Sequence, residues 1–309
     1  MSLGFSVEAL LSRARGGGAL RMGLVRVPEP EWLTPGVDLA ARAAVFTAEP
    51  DCVQVLPEAE AAVEEVAVLL EGGKAAFPSR LREGLGEGLE PFSASSTSVP
   101  PPTPPASGRG AHAVTALRTA AARVWEDLCI LTPDASGQYR LTAAALAFPT
   151  DWHLAEKLGH ALTPIHAPIH GYAEQLASGV DHFFATLPPG PIFGRTNWFV
   201  VASDAWRYLP HDDPQVRFAH VTDTNAGQTL FVRCERQTLR RLPQSGAVLF
   251  TIGIHVEPLD RLSSGAVARV AQSVAGIGSG EHERRAAPFY AGPLTRYAAR
   301  RNCSPELLA

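Results

Sequence analysis

"TLFVRCERQTLRRLPQSGAVLFTIGIHV", residues 229–256, reads as two strands and the turn that joins them. In the second arm Phe250, Ile252, Ile254 and Val256 alternate with Leu249, Thr251, Gly253 and His255, the period of two that turns one side of a strand toward a core. Pro243 and Gly246 mark the turn. In the first arm Arg233, Glu235 and Gln237 share one face, and Cys234 and Arg236 share the other. Upstream, "RTNWFVVAS" (195–203) is a further strand with Arg195 and Asn197 on one side. "CILT" and "YRLTAAALAF", separated by the turn residues "PDASGQ", form a second hairpin. Hairpin connections predict an antiparallel sheet with helices on one side, an α+β architecture.

Outward from the strands the pattern turns helical. "PEAEAAVEEVAVLLEGG" (57–73) places Ala59, Val63, Val66 and Leu70 on one face and stops at Gly72-Gly73. "AVTALRTAAARVWEDL" is a second helix, and "YAEQLASGVDHFFATL" a third with Leu176, Val180, Phe183 and Phe184 at core spacing. The expected organisation is a mainly helical region over 1–92, a Ser/Pro-rich linker or loop insertion over 93–110, and a sheet-bearing domain with C-terminal helices over 111–309.

Composition limits the function classes. The 309 residues are 46% hydrophobic, enough to build a sizeable core, and 27 Lys and Arg stand against 31 Asp and Glu. A net charge of -4 gives no basic excess for nucleic acid or an anionic membrane surface. Cys52, Cys129, Cys234 and Cys303 are scattered without a CxxC pair, and no apolar run has membrane-spanning length or the form of a signal peptide. A cytoplasmic protein is expected.

"EKLGHALTPIHAPIHGY" (156–172) is the segment richest in chemistry. His166 and His170 have the spacing of two zinc ligands on one helix, but Pro168 between them disfavours the helix, no Glu follows His166, and no CxxC completes a set. Pro164 and Pro168 frame His166 in a stiff, extended stretch, which suits a single axial bond to a haem iron; a structural histidine is the alternative. Gly253 leaves room for something flat, or marks a tight packing contact. Arg195 could grip a carboxylate such as a haem propionate, or belong to a solvated charge run. Cys234 as a haem thiolate is a further alternative to a buried small residue. The chain shows no Gly-rich phosphate loop, nucleophile elbow, iron–sulfur cysteine set or dinucleotide fingerprint, so an oxidoreductase built on it would borrow its electrons.

"FPTDWHLAEKLGHALTPIHAPIHGYAEQLASGVDHFF", "RTNW" and "ERQTLRRLPQSGAVLFTI", in that order and spacing, resemble the motifs of the haem-dependent oxidative N-demethylases, the large subunit of dimethylamine monooxygenase-like systems. The opening "LRMGLVRVPEPEWL" is similar to the family's N-terminal segment. The resemblance implies haem b held in a PAS-like antiparallel sheet with flanking helices and a helical N-terminal region. It also implies electrons from a separate flavin and iron–sulfur reductase subunit, and oxidation of a small secondary methylamine by dioxygen with release of formaldehyde. By the matching motif His166 is the axial metal ligand. Arg195, Asn197 and Arg236 are the expected cofactor contacts, with Glu235, Gln237 and His255 toward substrate. His160 and His170 depart from the family pattern and are expected bystanders. A haem-binding PAS-like sensor or carrier without turnover is the rival function.

Overall fold

The computed structural model describes residues 2–13, 22–72 and 106–303. Among these residues seven strands form one antiparallel sheet: β1 (Val25–Val27), β2 (Val53–Val55), β3 (Asp127–Pro133), β4 (Tyr139–Ala145), β5 (Ile192–Val201), β6 (Phe231–Arg241) and β7 (Val248–Pro258). Their order across the sheet is β1-β5-β6-β7-β3-β4-β2. Two hairpin-built halves, β5–β6–β7 and β3–β4, are thus closed by the β3–β7 pairing. The α+β, PAS-like sheet with flanking helices is what the strand pattern and the resemblance predict.

The hairpin read from the sequence pairs along its whole length, from Phe231↔Pro258 to Arg241↔Val248. Its turn closes through Leu242 N–H to the Ala247 carbonyl at 2.8 Å, with Gly246 at φ +69°, a conformation that favours glycine. The Glu65 carboxylate accepts from the turn N–H groups of Gln244 at 2.9 Å and Ser245 at 2.8 Å. The turn is therefore latched by the N-terminal region.

That region contains α1 (Val7–Arg13), α2 (Ala40–Ala48) and α3 (Glu60–Glu71). The apolar face of α3, Ala62, Val63, Val66 and Leu70, packs on α4 (Ala106–Ala121), whose Ala113, Leu117 and Ala120 are buried. Each fully buried valine or leucine there contributes roughly 1.5–3 kcal/mol. Two differences from the expectation follow. Residues 1–92 supply both edge strands, β1 beside β5 and β2 beside β4, as well as helices. Residues 106–110, expected in the linker, begin α4; residues 93–105 lie outside the described residues.

Between β4 and β5 lie α5 (Leu154–Lys157), α6 (Leu162–Ile165), α7 (Tyr172–Gln175) and α8 (Ala177–Thr186). The single helix expected over 172–187 is thus broken at Leu176, whose φ of −122° leaves the helical range. Short α9 (Pro214–Arg217) and α10 (Ala226–Thr229) lie between β5 and β6, and α11 (Ser264–Ala275), α12 (Ser279–Arg284) and α13 (Ala291–Cys303) follow β7. No described helix is long and apolar enough to cross a membrane.

Register divides the sheet into two faces, because directly paired residues point the same way. On one face run the rows Arg195–Gln237–Ile252–Asp127, Asn197–Glu235–Ile254 and Phe193–Leu239–Phe250–Cys129. On the other run Thr196–Arg236–Gly253, Trp198–Cys234–His255 and Gly194–Thr238–Thr251–Leu128.

Candidate functional site

The second of these faces is a packed interface with the N-terminal residues. Trp32 Nε1 donates to Thr238 Oγ1 at 3.1 Å, and the Thr238 and Thr251 hydroxyls bond each other at 2.6 Å. Thr196 Oγ1 donates to the Leu10 carbonyl at 3.2 Å. Arg236 gives Nη1 to the Trp32 carbonyl at 2.8 Å, Nε to Gly4 at 3.2 Å and Nη2 to Glu31. A methyl group at Gly253 would meet Glu126 Oε1 at 3.3 Å and Thr34 Oγ1 at 3.5 Å. The space beside Gly253 is thus taken by side chains, not by anything flat.

This geometry departs from the sequence reading at two residues and speaks against one alternative. Arg236 and His255 do not join the candidate site, because their parity on β6 and β7 turns them to the side covered by α1. Cys234 lies on the same side with its thiol at 3.9 Å from the Val7 carbonyl, and burial raises its pKa, which opposes a thiolate ligand.

The first face is different. Phe193 and Phe199 on β5, Gln237 on β6 and Phe250 on β7 are only half-buried, although β7 is the middle strand of seven. Glu235 is buried, and its Oε2 accepts from Gln237 Nε2 at 2.9 Å and Asn197 Nδ2 at 3.4 Å. Arg195 is half-buried, its Nε has no partner, and burial lowers its pKa despite the Glu235 charge. Arg233 shares the face but clamps the carbonyls of Phe148, Pro149, Ala205 and Trp206 together with the Thr150 hydroxyl, all within 2.8–3.1 Å. It is a structural tie.

His166, in the β4–β5 connection, comes near enough to this face for the Arg195 charge to act on it. The segment before it is anchored to β4 by Gly159 N–H to the Leu141 carbonyl at 2.7 Å and Leu141 N–H to the His160 carbonyl at 3.0 Å. His166 then caps α6 at φ −101°, ψ 9°, rather than lying in the extended stretch expected between two prolines. Pro164 falls in the first turn of α6, where its missing N–H has no helical partner to lose, so it does not stop the turn.

The imidazole is fixed from two directions. Nδ1 is 2.8 Å from the Leu162 carbonyl, which can only accept, so Nδ1 carries the proton and Nε2 the lone pair. The ring stacks on Tyr172 with centroids 4.5 Å apart at 17°. Burial, with smaller contributions from the Lys157 and Arg195 charges, pushes its pKa down to about 4. The ring is therefore neutral at physiological pH, with one nitrogen available as a metal donor. His160 and His170 are both exposed, the latter beside Gly280 of α12. Among the described residues no three His, Cys, Asp or Glu side chains cluster as a metal site would require.

Two participants were missed in the sequence. Tyr172 is buried with its hydroxyl unpartnered, and Lys157, whose pKa burial lowers, holds its ammonium 4.3 Å from the centroid of the Trp152 ring. An aromatic one short helix beyond a suspected ligand was the available signal for Tyr172. At the rim, Arg285 lies 4.9 Å from the Phe199 ring centroid and donates to the Trp198 carbonyl at 2.8 Å, positioned by Glu281 at 2.7 Å.

The arrangement is a sheet domain with one closed face and one open face, the open one bearing a neutral histidine above aromatic and polar strand residues. Residues 37–287 match the model of a family described as haem-dependent oxidative N-demethylase, alpha subunit-like. The chain belongs to that family. Its own residues fit the group the family name implies: a neutral imidazole with a free Nε2, aromatic rings left half-exposed at the centre of a sheet, and the buried Nε of Arg195 and hydroxyl of Tyr172 left without acceptors.

Proposed function

We propose that this protein is the haem b-binding, oxygen-activating subunit of a monooxygenase that removes the N-methyl group of a small secondary amine, with electrons supplied by a separate flavin and iron–sulfur reductase. One observation carries the reading: His166 is half-buried, neutral and committed through Nδ1, so its Nε2 would suit a single bond to a haem iron. Haem, when bound, supplies dioxygen binding and its reductive activation.

The chain's own residues do the rest. Fixed by its carbonyl partner, His166 would hold the iron through Nε2. Arg195 and Asn197 line the β5 side of the chamber. Glu235 uses Oε2 for Gln237 and Asn197, which leaves Oε1 without a bond among the described residues to accept an N–H from the amine. Phe193, Phe199 and Phe250 give this face an apolar lining that limits water. The scattered free thiols fit a reducing cytoplasm.

The test is reconstitution with haem, followed by a ferredoxin-like or chemical reductant and a panel of methylated amines. Formaldehyde release coupled to oxygen uptake is the expected result, and NADPH alone should give none. Stable oxygen binding with no product from any amine would establish the sensor or carrier instead.

A further inference from the structure

Arg195, in the middle of β5, and Tyr172, the first residue of α7, both lie close to His166: the Tyr172 ring stacks on the imidazole, and the Arg195 charge acts on it. Each carries a buried donor with no acceptor, the guanidinium Nε and the phenol O–H. The two are near enough that each charge acts on the other's ionisation. Glu235, the carboxylate that acts on Arg195, bonds Gln237 and Asn197 through Oε2 and forms no ion pair within 4.0 Å among the described residues. Asp181 acts on Tyr172 more strongly than Arg195 does, yet the phenol O–H has no hydrogen-bond partner. Fully buried polar groups are nearly always bonded, so two unpaired donors around one space mark an acceptor that the chain does not itself supply.

The donors also define that acceptor. A guanidinium edge matches the two oxygens of a planar carboxylate, and a phenol O–H adds one further bond to either oxygen. A phosphate would call for backbone N–H groups from a glycine-rich turn or a long helix start, and α6 and α7 are four residues each. We infer that Arg195 and Tyr172 together form a carboxylate-binding subsite. The inference rests on the haem-demethylase reading for its setting and deepens it. The carboxylate comes either from a propionate of the haem or from a substrate that is itself an N-methyl amino acid.

The experiment uses the full chain, its Arg195→Lys and Tyr172→Phe variants, and two comparisons followed by Soret absorbance. Tyr172→Phe keeps the ring that stacks on His166 and removes only the O–H. In the first comparison apo-protein is titrated with haem and with haem dimethyl ester, whose propionates cannot act as anions. In the second, haem-loaded protein is titrated with N-methylglycine and with dimethylamine.

If the carboxylate is a propionate, the parent chain prefers free haem over the ester by about tenfold to a hundredfold, and both variants lose most of that preference. If it is the substrate's, the ester binds as well as haem, N-methylglycine outcompetes dimethylamine by a similar factor, and both variants erase that difference. Absence of both preferences, or a preference that survives unchanged in both variants, overturns the subsite while leaving the haem reading intact. A parent chain that takes up neither form of haem overturns the haem reading itself and this inference with it.

Discussion

Arg236 and Arg195 occupy neighbouring positions in the sheet, since Thr196 pairs with Arg236 and Arg195 with Gln237, yet they point in opposite directions. Arg236 delivers its guanidinium to three backbone carbonyls of the N-terminal segment, whereas the Nε of Arg195 has no acceptor. The histidines of the two faces repeat the contrast. Burial pushes both His166 and His255 down to about 4, but His166 is held by a carbonyl on Nδ1, and His255 has an unpartnered Nε2 in a packed interface. Polarity satisfied by the chain itself holds the fold together, and polarity left open beside half-exposed rings marks where a ligand belongs.

The contrast can be broken most directly at His166. His166→Ala should lose haem or change its ferric and ferrous spectra outright, while His160→Ala and His170→Ala keep both, since both of these residues are exposed. An unaltered spectrum in the His166 variant would remove the open face from the argument.

The two arginines come next. Arg236→Met strands three carbonyls in a buried interface and should cost the apo-protein about 3 kcal/mol or more in urea unfolding. Arg195→Met should change it by less than about 1 kcal/mol, because no hydrogen bond is lost at Nε. Equal losses would erase the distinction between the faces.

A smaller effect concerns pH. His255 titrates at about 4 when folded against an ordinary value of 6.5, with Arg236 reinforcing burial. The unfolded chain therefore takes up the proton first, so this contribution to stability is full above about pH 6.5 and is lost as pH falls toward 4. Glu257 and Glu126 face the same side and titrate in the opposite sense, burial raising both. Comparing His255→Leu with the parent at pH 7 and pH 5 isolates the histidine: the parent should lose on the order of 1–2 kcal/mol more than the variant. An identical slope in the two proteins would show that the ring is not desolvated.

The smallest test is Gly253→Ala. Its methyl would press on the Glu126 carboxylate at 3.3 Å, for a cost of about 1 kcal/mol, with haem spectra unchanged. A spectral change would mean that this face, too, senses the haem.

The longer strands were legible because alternation and turn residues agree, as in the β6–β7 hairpin. β1 and β2 were not: "VRV" and "VQV" have three residues each, too few for a period, and become strands only because β5 and β4 offer them free edges. At the site, the shared face of Arg195, Asn197, Glu235 and Gln237 followed from parity alone. Parity also separates Arg236 from Gln237 and His255 from Ile254, so assigning Arg236 and His255 to the same site went by residue type against the spacing. Tyr172 and Lys157 could not be found this way, since their place over the sheet depends on how four short helices fold back.

The two edge strands also set a timetable for a chain made from its N-terminus. β1 ends at Val27 and its partner begins at Ile192, roughly 165 residues later. At about 5–20 residues per second the ribosome needs on the order of 10 to 30 s to deliver that partner. During this interval Leu3, Val7 and Leu10, buried in the finished protein, have no sheet to cover. The segment that later seals the closed face thus stays uncovered on the nascent chain until β5 and its neighbours are made.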